Sequence, residues 1–207
     1  MIPIYHITHI SNLASIAAAG GLWCDGERVR QSFGCIGIAH QNIKDRRARR
    51  AVPVAAKGTL ADYVPFYFAP RSPMLYTISR GNVEGYQGSQ EQIVHLVSSV
   101  ESATALDRPW TFTEGHADMA FTKYFGDLEQ LDQVDWAVMK EKYWNDTAER
   151  PDRKRRRQAE FLVHKSYPWA AVIEIGVMTV RMKQQCEHAL VGVVHRPTVI
   201  VVPDWYY

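Results

Sequence analysis

The side chain in this sequence best placed to do chemistry is Glu160. It follows a polar loop, residues 145–152, and a run of five basic residues, Arg153, Lys154, Arg155, Arg156 and Arg157, and it opens an apolar strand-like run, Phe161-Leu162-Val163. A carboxylate at the mouth of a strand, next to a block of positive charge, suits chemistry on a polyanion. Such a glutamate can be a general acid or base, a metal ligand, or an electrostatic stabiliser of a cation. No second carboxylate stands at metal-ligand spacing, since Glu149 and Asp152 belong to the loop. That favours the third role, a lone carboxylate facing a positively charged transition state such as the oxocarbenium ion of glycosidic cleavage. A structural role, a glutamate salt-bridged to one of its arginine neighbours, stays open beside it.

Three further groups of residues carry chemical potential. Tyr5-His6-Ile7-Thr8-His9 offers two histidines and a threonine at a strand end, able to present donors and acceptors to a ribose or an amide. Gly20-Gly21 soon after would let a ligand approach the backbone closely. Arg71, held between Pro70 and Pro73 near Tyr67, Phe68 and Tyr76, is a fixed guanidinium suited to a planar or phosphate-bearing ligand. The block Lys44, Arg46, Arg47, Arg49 and Arg50 carries one acidic residue, Asp45. With Arg153–Arg157 it makes two separated basic clusters that could line one groove and neutralise phosphates of a nucleic acid. Each feature also has a plain structural reading: a satisfied histidine, an arginine stacked on surface rings, a solvated helix.

The elements that must position these residues read as one domain. The 207 residues suffice for one sizeable core. A net charge of +2 means that grouping of charge, rather than its total, would attract a polyanion. Cys24, Cys35 and Cys186 are widely spaced and odd in number, against a disulfide framework or a zinc site and in favour of a reducing cytoplasm. There is no signal-peptide pattern, and no apolar run approaches the ~20 residues needed to span a bilayer. Periodicity predicts a strand over 1–10, a short helix from Leu13 with Ser11-Asn12 as N-cap, and a strand over 63–68 interrupted by Pro65. It further predicts a strand at 93–97, loop over 111–118, helical character over 134–144, and strands at 161–163, 170–175 and 198–202. The sum is an α+β domain with a mainly antiparallel or mixed sheet.

The quoted residues together resemble the DarT family of DNA ADP-ribosyltransferase toxins, relatives of the PARP-like transferases. The matching pieces are Tyr5–Leu13 with Gly20-Gly21-Leu22, Asn42-Ile43-Lys44 leading into the arginines, Tyr67–Met74, and Gln158–Val163, in the family's order. The resemblance implies an ADP-ribosyltransferase-like split central β-sheet core with surrounding helices, a single domain over 1–207, and a cytoplasmic enzyme that uses NAD, without a metal, to modify thymidine in single-stranded DNA. It implies that Glu160 is catalytic, and that His6, Ile7, Thr8 and His9, with Asn12, Ile16, Leu22 and Cys24 and with Arg71, bind NAD. The loop ending at Glu160 would receive the base, its arginines and the 44–50 block serving the DNA strand. A macrodomain antitoxin is the implied partner, and no membrane is involved. The family also has an arginine that assists at the thymine. The alignment of the basic block places it at position 51, where this chain has Ala51, so the expectation is an attenuated variant unless Arg49 or Arg50 fills the role. Two other readings stand beside this one: a non-enzymatic nucleic-acid-binding module, and a transferase whose acceptor is protein or RNA.

Overall fold

The computed structural model describes residues 1–32 and 34–207. Its strands are Pro3–His9 (β1), Gly21–Trp23 (β2), Tyr63–Tyr67 (β3), Ile93–Ser99 (β4), Trp110–His116 (β5), Tyr124–Phe125 (β6), Ala159–His164 (β7), Ser166–Pro168 (β8), Glu174–Val177 (β9) and Thr198–Val201 (β10). The main sheet runs β10-β9-β4-β1-β3-β7-β5-β6, and β2 pairs with β8 in a small second sheet. Among the described residues, β9 and β10 are the only paired strands that run parallel. β4 is buried along its whole length and β7 along all but its last residue because both faces are covered. The core links Ile4, Phe66, Leu96, Phe112, Phe161, Val163 and Tyr167, burial that drives the fold as apolar area leaves water.

The sheet is split at its centre. β1 is registered with β4 from Pro3↔Ser99 to His9↔Ile93, and β3 with β7 from Tyr63↔His164 to Tyr67↔Glu160. β1 and β3 share only the pair Tyr5↔Tyr67. Beyond that pair the halves diverge, and the His6 ring bridges them with Nδ1 2.8 Å from the Pro65 carbonyl. A carbonyl only accepts, so His6 Nδ1 carries the proton. Pro65 therefore does not break β3; the strand runs through it.

Several local expectations are corrected. Residues 110–116 form β5 rather than loop, their aromatic–threonine alternation having been obscured by Glu114 and Gly115. The helix expected over 134–144 is confined to Trp136–Lys140, and the strand expected over 170–175 starts at Glu174, after a 3₁₀ turn at Trp169–Ala171. Asn12 does not cap the Leu13–Ala18 helix through its side chain, which is used elsewhere. Gly21 has φ +144°, and a Cβ there would lie 2.1 Å from the Tyr167 carbonyl, so its first role is close approach of β2 to β8.

Candidate active site

A cavity of about 430 Å³ opens where the sheet splits. Its walls include His6, Ile7, Thr8, Asn12, Ile16, Leu22 and Cys24 from the β1–β2 segment, and Arg47, Tyr67, His116 and Glu160 from later in the chain. Asn12 fastens the wall formed by 34–40 to β1: its Nδ2 donates to Thr8 Oγ1 (3.1 Å) and Ile36 O (3.0 Å), and its Oδ1 accepts from Ile36 N–H (2.9 Å). Burial holds the His6 ring below its ordinary pKa, hence neutral, and pushes the Cys24 thiol up, hence protonated and weakly polar. His9 and Arg71 do not line the cavity. His9 caps the 3₁₀ turn at Ile10–Asn12 by accepting from Ser11 N–H, and packs edge-on to Tyr86. Arg71 donates to the Tyr206 carbonyl and stacks over the Tyr207 ring at 4.2 Å. Both depart from the expected placement because local partners use their polar atoms.

Glu160 lies in the cavity wall, on β7 and only 3% exposed. Its Oε2 accepts from Arg47 Nη1 (2.9 Å) and its Oε1 from the backbone N–H of Ala117 (3.1 Å). Its own N–H donates to Thr113 Oγ1 (3.0 Å). Between the registered pairs Phe112↔Phe161 and His116↔Ala159, residues 113–115 of β5 stand opposite the single residue Glu160. This bulge turns the Ala117 N–H toward the carboxylate, a re-aiming typical of irregular strand pairs near sites. Burial works against the Arg47 charge, but the adjacent Glu160 outweighs it, so the guanidinium pKa is raised and the ion pair persists. Arg47 Nη2 is buried with no partner among the described residues. Across β3–β7, Tyr67 faces Glu160, and burial together with that carboxylate raises the phenol, keeping it protonated. The His116 Nδ1 lies 4.0 Å from Glu160 Oε1, yet it accepts from the Asp118 N–H (3.1 Å), and burial lowers the ring's pKa, so this contact is neutral rather than ionic.

The basic clusters are placed differently from the expectation. In the Gln41–Arg49 helix, Arg47 reaches Glu160 and Lys44 lines the cavity. Arg46 pairs with Asp118 (2.5 Å), Arg50 donates to the Met119 carbonyl (2.7 Å), and Arg49 is exposed. Ala51 lies past the end of the helix, after the extended Arg50, exposed and bridged to Thr59, outside the cavity. The side chain against the glutamate is Arg47, which corrects the placement at 51 and removes the ground for expecting an attenuated variant. With arginines at 46, 47, 49 and 50, nothing local in the sequence says which one faces the sheet. In the second cluster, Arg155 binds Glu114 and Asp152, and Arg153 donates to the Tyr143 and Asn145 carbonyls and pairs with Glu141. Arg157, 2% exposed, donates to the carbonyls of Val138, Met139 and Glu141, sealing the C-terminal end of the Trp136–Lys140 helix, and its Nε donates to the Arg71 carbonyl. Three of these five basic residues thus hold the loop rather than offer free phosphate donors; Lys154 is exposed, and Arg156 sits 3.3 Å from Asp152. From sequence Tyr67 stood out only as a ring near Arg71 and His116 not at all, since neither lies beside Glu160 in the chain. Among the described residues no three His, Cys, Asp or Glu side chains gather as a metal site, and no helix is long and apolar enough to cross a membrane.

A family model described as "ssDNA thymidine ADP-ribosyltransferase, DarT" matches residues 5–207. A DNA ADP-ribosyl transferase of Thermus sp. (strain 2.9) is 42% identical over 207 residues, covering 99% of this chain and 96% of that one. Its solved structure in complex with ADP-ribosylated ssDNA superposes with a TM-score of 0.92, at 42% identity over 100% of this chain and 96% of that one. Its complex with NAD+ gives 0.89, at 40% identity and 100% and 98% coverage. A Thermosipho africanus DNA ADP-ribosyl transferase–DNA ADP-ribosyl glycohydrolase fusion protein is 26% identical over 97% of this chain and 50% of its own length.

Proposed function

This chain belongs to the DarT family of single-stranded-DNA thymidine ADP-ribosyltransferases, and from that premise we propose that the cavity holds NAD and that the Glu160–Arg47 pair transfers its ADP-ribose. The enzyme transfers ADP-ribose from NAD to thymidine in single-stranded DNA and acts as a toxin. The observation that carries the assignment of residues is a buried carboxylate in the cavity wall, fixed from two sides by a guanidinium and a backbone N–H.

Glu160 stabilises positive charge that develops on the ribose as the glycosidic bond to nicotinamide breaks and nicotinamide leaves with the bonding electrons. The Ala117 N–H and Arg47 hold the carboxylate in one orientation. His6 and Thr8 hold the nicotinamide end and its ribose. The His6 tautomer set by Pro65 leaves Nε2 as an acceptor, and Thr8 keeps a hydroxyl proton to donate while accepting from Asn12. Ile16, Leu22 and Cys24 supply apolar wall. The thymine N3 bonds to the ribose carbon and loses its proton to solvent. Arg47, always protonated, is a poor base; its positive charge offsets charge that appears on the thymine as that proton leaves. A single strand delivers the base without the cost of unpairing it.

In this reading residues 1–207 form one transferase domain working in the cytoplasm, and its partner is a macrodomain hydrolase that removes the mark. The Thermosipho fusion, which joins transferase and glycohydrolase in one chain, supports that partner. Incubation with labelled NAD and, in parallel, single-stranded DNA, RNA and protein tests the assignment. Label on thymidine-containing DNA alone, lost in Glu160→Ala, is expected; label on protein or RNA alone overturns it.

A further inference from the structure

Arg155 lies within the loop that precedes Glu160, yet it points back at the bulge opposite that glutamate. Its Nη1 donates to Glu114 Oε1 (2.8 Å) and its Nη2 lies 2.7 Å from Glu114 Oε2, a two-point contact with a carboxylate buried on β5. On its other edge Nε and Nη2 donate to Asp152 Oδ1 and Oδ2, each at 2.7 Å. The guanidinium therefore spans two carboxylates, one on the loop and one on the sheet. It also lies flat against Gly115: a Cβ at that position would sit 2.2 Å from Nη1 and 2.9 Å from Cζ. Only a residue without a side chain lets the arginine come this close.

Further hydrogen bonds tie the bulge to its neighbours. Thr113 Oγ1 accepts the Glu160 N–H and donates to the Gly115 carbonyl (2.7 Å). Thr122 Oγ1 donates to the His116 carbonyl (2.7 Å), Tyr124 OH to the Ala117 carbonyl (2.6 Å), and the Lys123 N–H to Glu114 Oε1 (3.2 Å). The output of this network is the Ala117 N–H aimed at Glu160 Oε1.

We propose that Arg155 is a positioning residue for Glu160: by holding Glu114 and covering Gly115 it fixes the 113–117 bulge, and so makes the carboxylate's backbone donor depend on the 145–157 loop being docked. The proposal rests on Glu160 being the catalytic carboxylate. It gives the loop a second task besides receiving the base, since displacement of the loop would loosen the glutamate.

Two measurements on the full chain test this: amide exchange at Ala117 by NMR, and transfer kinetics at varied NAD and single-stranded DNA. Arg155→Ala is expected to speed exchange at Ala117 and to lower kcat by about tenfold to about a hundredfold, the scale of a misplacement approaching ~1 Å, with KM for NAD and for DNA unchanged. Glu114→Gln, which keeps an acceptor for Nη1, retains more of both. Wild-type protection of Ala117 in Arg155→Ala overturns the proposal. So does a raised KM for DNA with kcat intact, which would make Arg155 a DNA contact. If Arg155→Ala does not fold, Glu114→Gln decides by the same readouts. Wild-type protein that transfers nothing to DNA would sink the functional reading, while exchange at Ala117 still judges the clamp.

Discussion

At the scale of single residues, the decisive fact is which arginine meets Glu160. The chain offers arginines at 46, 47, 49 and 50, and the fold selects Arg47 by pointing one face of the Gln41–Arg49 helix at the sheet. Ala51 is exposed and tied to Thr59 outside the cavity, so adding charge there should be silent. Ala51→Arg is accordingly expected to leave steady-state transfer to single-stranded DNA unchanged; a large gain would return the missing-arginine view. The importance of Glu160 was legible from its neighbours in sequence, and so was most of the N-terminal wall, because β1 carries His6, Ile7 and Thr8 in consecutive positions. Tyr67 and His116 were not, since they reach the site only through strand register and a bulge. The arginines next to Glu160 in sequence misled for a physical reason: buried carbonyls and carboxylates compete with a phosphate for the same donors, and sequence spacing does not show them.

At the scale of elements, the loop before Glu160 is held by its own basic residues. Arg157 replaces the missing hydrogen-bond partners at the end of the Trp136–Lys140 helix and ties it to the 70–71 turn. Burial lowers its pKa to about 10, which leaves it charged at neutral pH. Arg157→Met keeps the volume but leaves these carbonyls unpaired. Urea unfolding should show a loss of roughly 2–4 kcal/mol. A variant as stable as the parent would mean that the arginine is free for DNA after all. Strand bounds were read most closely in β3 and β10, rich in aromatic or β-branched residues, whereas β4 and β7 extend past the apolar runs that mark them. β5 was missed because Glu114 and Gly115, the residues that make its bulge useful, resemble a loop.

At the scale of the whole molecule, two half-sheets meet at Tyr5↔Tyr67, and the cavity exists because they part there. The C-terminal segment fastens one half: Tyr206 OH donates to the Ile93 carbonyl, and the His95 ring lies between Tyr206 and the Pro70 carbonyl. Burial lowers the His95 pKa from 6.5 to about 4, and it lowers His6, His9, His116 and His164 in the same direction. Between these values the unfolded chain binds a proton that the folded chain refuses, so stability falls as pH falls from about 6.5 to about 4 and is level above that window. His95 alone accounts for on the order of 3 kcal/mol of this loss. Urea midpoints at about pH 7.5 and about pH 4.5 should therefore differ strongly, and less so in His95→Gln; equal slopes in both proteins would refute the assignment. The pair that this architecture serves is Glu160–Arg47, and Arg47→Ala tests it most directly. NAD affinity by titration and single-turnover transfer to a thymidine-containing single strand are measured on the same protein. The expected result is NAD binding retained and transfer slowed by about a hundredfold or more. Transfer at the parental rate, or a loss explained wholly by weaker NAD binding, would contradict it.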